Sequence, residues 1–160
     1  MIGGTRVIRW DIRLIVALRL VALAGLLVSC APHNPLAAKV PAHKMEEAKA
    51  LKAPFGEAKS ASPDIVAEGK KLFEGKGACI HCHGAGGKGD GPAGSQLYQH
   101  PAADFTSCTM HESRTDGELF WAMDHGVPGT AMVDMVHSGK LTELEAWKIV
   151  AYLRSLCAVK

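Results

Sequence analysis

Apolar positions fall along this chain in three regimes. The first runs from Leu14 to Val28, broken only by Arg19 and preceded by Arg6, Arg9 and Arg13. After Arg19 the unbroken stretch, Leu20 to Val28, holds nine residues, short for a bilayer span. A basic segment followed by a short apolar one predicts a secretory signal over residues 1–30 rather than a folded element. The second regime, residues 31–61, is mainly Ala, Lys, Pro and Glu, punctuated by Pro32, Pro35, Pro41 and Pro54. Met45 to Leu51 permits a short helix but offers no strong apolar face, so this regime predicts a flexible tether. In the third, residues 62–160, apolar residues recur at helical spacing.

Three helices are predicted in that last regime. Ser62 suits an N-cap and Pro63 the first helical position; Ile65, Gly69, Leu72 and Phe73 follow, and Gly75 and Gly77 stop the run. Thr115 and Glu118 form a capping box before a helix over Asp116 to Asp124, with Leu119, Phe120 and Met123 on one face and Gly126 as the stop. Thr142 and Glu145 form a second box before a helix to Leu156, whose Trp147, Val150, Ala151 and Leu153 face inward. Between the first two helices, Gly84 to Gly94 contains six Gly and Pro92, which forces a loop. No stretch alternates as a strand does. The pattern is all-α, with three main helices and long Gly/Pro-rich loops.

Composition changes this picture in one respect. Nearly half of the 160 residues are apolar but only 6% are aromatic, so a core of this size would be well filled by a buried cofactor. The net charge of +2 is unevenly spread. Residues 1–30 carry +3 and residues 31–60 carry +2, whereas residues 61–160 carry −3. A mildly acidic folded part argues against nucleic-acid binding, which wants clustered basic residues. It suits docking to a protein partner through a polar, weakly charged surface.

The leader ends in Leu27-Val28-Ser29-Cys30, which resembles the bacterial lipobox. In that motif the Cys is lipidated and becomes the new N-terminus, and the resulting acyl chains suffice for stable anchoring. The alternative is an uncleaved anchor with an incidental Cys30. Both place the domain on the periplasmic side of a bacterial membrane, and Ala31 in place of an Asp favours the outer membrane.

The densest chemistry is Cys79-Ile80-His81-Cys82-His83. In an exported chain, Cys-x-x-Cys-His reads as covalent haem attachment: each thiol adds to one vinyl group, and His83 supplies an imidazole to the iron. A redox disulfide between Cys79 and Cys82 would want a βαβ setting that is missing. A zinc site would want a second pair of ligands that is also missing. Cys108 and Cys157 remain, an even pair that in an exported protein suggests a disulfide, with two unpaired thiols as the alternative.

From CIHCHGAGGKGDGPA (Cys79 to Ala93), GVPGTAM (Gly126 to Met132) and the Gly69/Phe73 helix paired with a closing helix holding Tyr152, residues 62–160 resemble the monohaem class I cytochromes c. The resemblance implies the cytochrome c fold around one covalent haem c, with Gly69 packed near Tyr152. It implies a sixth iron ligand from the Gly/Pro loop before the last helix, hence Met132. Val133 stands where a Pro often follows that Met, so Met135 stays in play, then Met110, Met123, His125 and His137. It also implies that the Pro92 carbonyl orients the ring of His83. His/Met ligation saturates the iron and raises its potential relative to two His. The expected role is therefore electron transfer without catalysis, between a redox protein donor and an acceptor, on a membrane-tethered domain. The competing readings are a haem sensor or peroxidase with an open sixth site, and a fixed subunit of a larger redox complex.

Overall fold

The computed structural model describes residues 39–96 and 101–157. The signal segment, Cys30 and the first residues of the expected tether lie outside them. Among the described residues the helices are α1 (Met45–Ala50), α2 (Pro63–Glu74), α3 (Ile80–His83), α4 (Cys108–Glu112), α5 (Asp116–His125) and α6 (Glu143–Ser155). The three longest lie where the sequence pattern places them. None of these helices is long and apolar enough to cross a membrane.

Their starts are held as the sequence suggests. The Ser62 hydroxyl accepts from the Ile65 N–H at 3.4 Å, with Pro63 opening α2. The Glu118 N–H donates to Thr115 Oγ1 at 3.2 Å while the Thr115 N–H donates to Glu118 Oε2 at 2.8 Å. The same reciprocal pair joins Thr142 and Glu145 at the start of α6, at 3.2 and 2.8 Å. Each cap satisfies otherwise unpaired amides and contributes about 1 kcal/mol.

The core forms where α2 crosses α6. Gly69 lies directly against α6: a Cβ there would stand 1.9 Å from the Lys148 carbonyl oxygen and 3.0 Å from Tyr152 Cβ. Only glycine permits that approach. Beside the crossing, Phe73 meets Tyr152 edge to face at 5.3 Å, and Phe73, Ile149 and Val150 are fully buried. On the other side of α6, Trp147 stacks on Phe120 of α5 at 4.3 Å. The disulfide Cys108–Cys157 joins the start of α4 to the end of the described chain.

The segment before Ser62 departs from expectation. Far from being a free tether, residues 39–61 form a strap packed on α5 and α6. Val40 and Ala48 are buried against Trp121. Gly117 of α5 lets α1 approach so closely that a Cβ there would stand 2.0 Å from the Ala48 carbonyl oxygen. Ala58 is buried, and its N–H donates to Asp116 Oδ2 at 2.9 Å. The other oxygen of Asp116 accepts from Arg154 Nε at 2.6 Å. Arg154 then donates to the carbonyls of His111 and Arg114, both at 2.7 Å. The strap escapes sequence reading because its grip comes from alanines, backbone approach and hydrogen bonds, none of which produces an apolar periodicity. Its presence also explains why α5 buries Gly117 and Trp121 in addition to Leu119, Phe120 and Met123.

Candidate functional site

The attachment motif is presented by a sharp fold-back after α2. The Gly77 N–H donates to the Leu72 carbonyl at 2.8 Å and the Cys79 N–H to the Phe73 carbonyl at 2.9 Å. Ala78 between them takes φ +51°, a left-handed conformation that costs a residue with a Cβ about 1–2 kcal/mol. The two flanking bonds hold it there. The turn then delivers Cys79 as the residue before α3, and the His83 N–H bonds back to the Cys79 carbonyl at 2.9 Å.

One turn of helix thus carries Cys79, Cys82 and His83 onto the wall of a single cavity of about 350 Å³. Its wall is largely apolar and includes Phe73, Leu119, Ile149 and Leu153. Burial pushes the Cys79 thiol up to about 11. Burial also lowers the pKa of His83, against a weaker opposing effect of its bond to a backbone carbonyl. A neutral imidazole is the form that binds a metal.

That carbonyl belongs to Ala103, 3.1 Å from His83 Nδ1. The expected Pro92 carbonyl is instead the acceptor for Gln96 Nε2 at 3.4 Å. The reason is tertiary. The Phe105 N–H bonds to the Gly87 carbonyl at 2.7 Å, which draws the 101–105 segment under the imidazole. Phe105 then lies 4.6 Å from the His83 ring. With Nδ1 donating to Ala103, Nε2 is the nitrogen left to ligate. Neither Ala103 nor Phe105 carries a local sequence signal that would have marked it.

Met132 and Met135 line the same cavity, as does Met123. Met110, His125 and His137 are not on its wall. Met135 is buried in the core, its N–H on the Met123 carbonyl and its carbonyl on the Leu141 N–H, both at 2.7 Å. Met132 is half-buried in a tight loop: its N–H donates to Thr130 Oγ1 at 3.1 Å and its carbonyl accepts from the Val127 N–H at 3.0 Å. The donor set, two thiols and an imidazole beside an apolar slot with thioethers on its wall, fits a covalently held haem.

A sequence model of cytochrome c matches residues 66–157. The chain belongs to the cytochrome c family. Cytochrome c domains are generally electron carriers rather than catalysts, and the Cys79/Cys82 spacing of this one is compatible with covalent haem attachment. Among solved structures, a chain of the reducing HAO-like protein complex of Kuenenia stuttgartiensis is similar, with 28% identity and a TM-score of 0.50. The match covers 59% of this chain and 44% of that one, so this cytochrome c domain corresponds to less than half of its relative. No curated protein matches the chain.

Proposed function

We propose that this cytochrome c domain passes single electrons between redox proteins through one haem, attached at Cys79 and Cys82 and ligated by His83 and Met132. The observation that carries the reading is that all four side chains line one apolar cavity, with His83 Nδ1 bonded to Ala103. The haem, when bound, supplies a one-electron ferric–ferrous couple. The chain's own residues do the rest. Cys79 and Cys82 hold the group permanently, Ala103 fixes the orientation and tautomer of His83, and Phe105 packs against the ring. The apolar wall keeps water away, which limits reorganisation when the charge changes by one. Met132 is favoured over Met135 as the sixth ligand because the core already engages Met135, whereas Met132 is held in a loop at the cavity.

Export with a lipid on Cys30 would place the domain on the periplasmic face of a membrane. Its partners would be a redox donor and acceptor, a reading supported by the similarity to a chain from a redox complex. Optical spectra of protein matured in a periplasm test the assignment. A low-spin ferric spectrum with the weak far-red band of Met ligation is expected, with the band lost in Met132→Ala and kept in Met135→Leu. A high-spin ferric spectrum with tight carbon monoxide binding in the ferrous form would overturn it in favour of the sensor or peroxidase reading.

A further inference from the structure

The segment beneath His83, residues 101–105, is held at its end from two directions. The Phe105 N–H donates to the Gly87 carbonyl at 2.7 Å, and the Phe105 carbonyl accepts from His111 Nε2 at 2.7 Å. The two ties differ in kind. Gly87 belongs to the glycine-rich loop that follows the attachment motif. His111 belongs to α4, whose first residue the Cys108–Cys157 disulfide joins to the chain just after α6.

His111 is itself fixed. It is only 8% exposed, and its Nδ1 lies 3.3 Å from Arg154 Nη1. A guanidinium only donates, so Nδ1 accepts and the proton sits on Nε2, where it meets Phe105. Arg154 is anchored in turn: Nη1 also donates to the His111 carbonyl at 2.7 Å, and Nε to Asp116 Oδ1 at 2.6 Å. Ring and backbone of His111 are thus both clamped to α6.

Phe105 in turn meets the iron ligand. Its ring lies 4.6 Å from that of His83, and Ala103, two residues earlier, accepts from His83 Nδ1 at 3.1 Å. How firmly that carbonyl is presented sets how far the Nδ1 proton is drawn off, and hence how basic Nε2 is toward a metal. A more basic imidazole favours ferric iron, the state of higher charge.

We propose that His111 is a positioning residue for the iron ligand: by holding the Phe105 carbonyl it keeps the Ala103 carbonyl on His83 Nδ1, and so lowers the reduction potential. This rests on the reading of His83 as a haem ligand above.

The test uses the full chain with haem attached, and compares wild type with His111→Gln, His111→Leu and His111→Asn. The first substitution keeps a donor that reaches Phe105 and an acceptor for Arg154. The second removes the donor, and the third sets its amide a methylene short. In His111→Leu and His111→Asn the reduction equilibrium should move about threefold toward ferrous, ~30 mV for a one-electron couple. The His83 Nδ1–H resonance of the ferrous protein should move upfield as its bond to Ala103 lengthens. His111→Gln should track wild type on both readouts. Ser62→Ala, which removes the α2 cap away from this segment, controls for lost stability and should also track wild type. Wild-type values in haem-loaded His111→Leu and His111→Asn, failure of both to hold haem, or an equal shift in Ser62→Ala would each overturn the proposal and leave His111 structural only. A wild-type chain that attaches no haem would overturn the haem reading itself.

Discussion

Where α2 crosses α6 and where α1 crosses α5, the same device is used: a glycine, Gly69 or Gly117, admits a backbone carbonyl against its Cα. The surroundings differ. Beside Gly69 lie Phe73, Ile149 and Val150, all fully buried, so any separation of the helices opens a large apolar core. Beside Gly117 lie Val40, Ala48 and Trp121, a smaller cluster separate from the main core. Close approach alone therefore does not make a crossing strong; the apolar volume it closes does. The first crossing puts Phe73, Ile149 and Leu153 on the cavity wall, whereas the second adds the strap.

Arg154 joins the two regions, because it lies on α6 and binds the Asp116 that also holds Ala58 of the strap. Arg154→Met should have the largest effect, about 3 kcal/mol by chemical denaturation, since it leaves a carboxylate and two carbonyls without their cation. Gly69→Ala should follow, at about 2–3 kcal/mol, because a helix backbone must move to admit the methyl group. Gly117→Ala should cost less, about 1–2 kcal/mol, because the strap can lift while the haem domain stays closed. Proteolysis in Gly117→Ala should then begin within residues 39–61. Equal costs for the two alanines would show instead that strap and domain fold as one unit.

The smallest expected effect is on pH. His111 is buried, its Nδ1 3.3 Å from the donor Arg154 Nη1 and its Nε2 2.7 Å from the Phe105 carbonyl. Since guanidinium only donates, Nδ1 accepts and Nε2 carries the proton. Burial, the largest cause, holds the pKa of His111 below the ordinary 6.5. The unfolded chain then binds the proton more readily, so this contribution is full above about pH 6.5 and is lost as pH falls toward the folded value. His111→Gln should flatten that part of the stability profile, read as midpoint denaturant concentration against pH.

Much of the haem domain was legible because its signals are local. Capping boxes, glycine stops and the Cys-x-x-Cys-His spacing each lie within a few residues, and all three long helices follow from them. Gly69 was legible only through the resemblance, since an isolated helix glycine says nothing of what it faces. The strap was not legible: Ala48 and Ala58 are buried, yet alanine carries almost no burial signal of its own. Pro92 was the wrong carbonyl for His83, because the choice between Pro92 and Ala103 depends on how a loop returns some twenty residues later.

By itself, the sequence determined the all-α class, the helix ends and the three side chains of the attachment motif, since these depend on short-range sterics, capping hydrogen bonds and fixed covalent spacing. Only the tertiary structure decided what meets those side chains. Ala103 beneath His83, and Met132 on the same cavity wall as Cys82, are separated along the chain by tens of residues. Their proximity is a product of packing, and no local pattern encodes it.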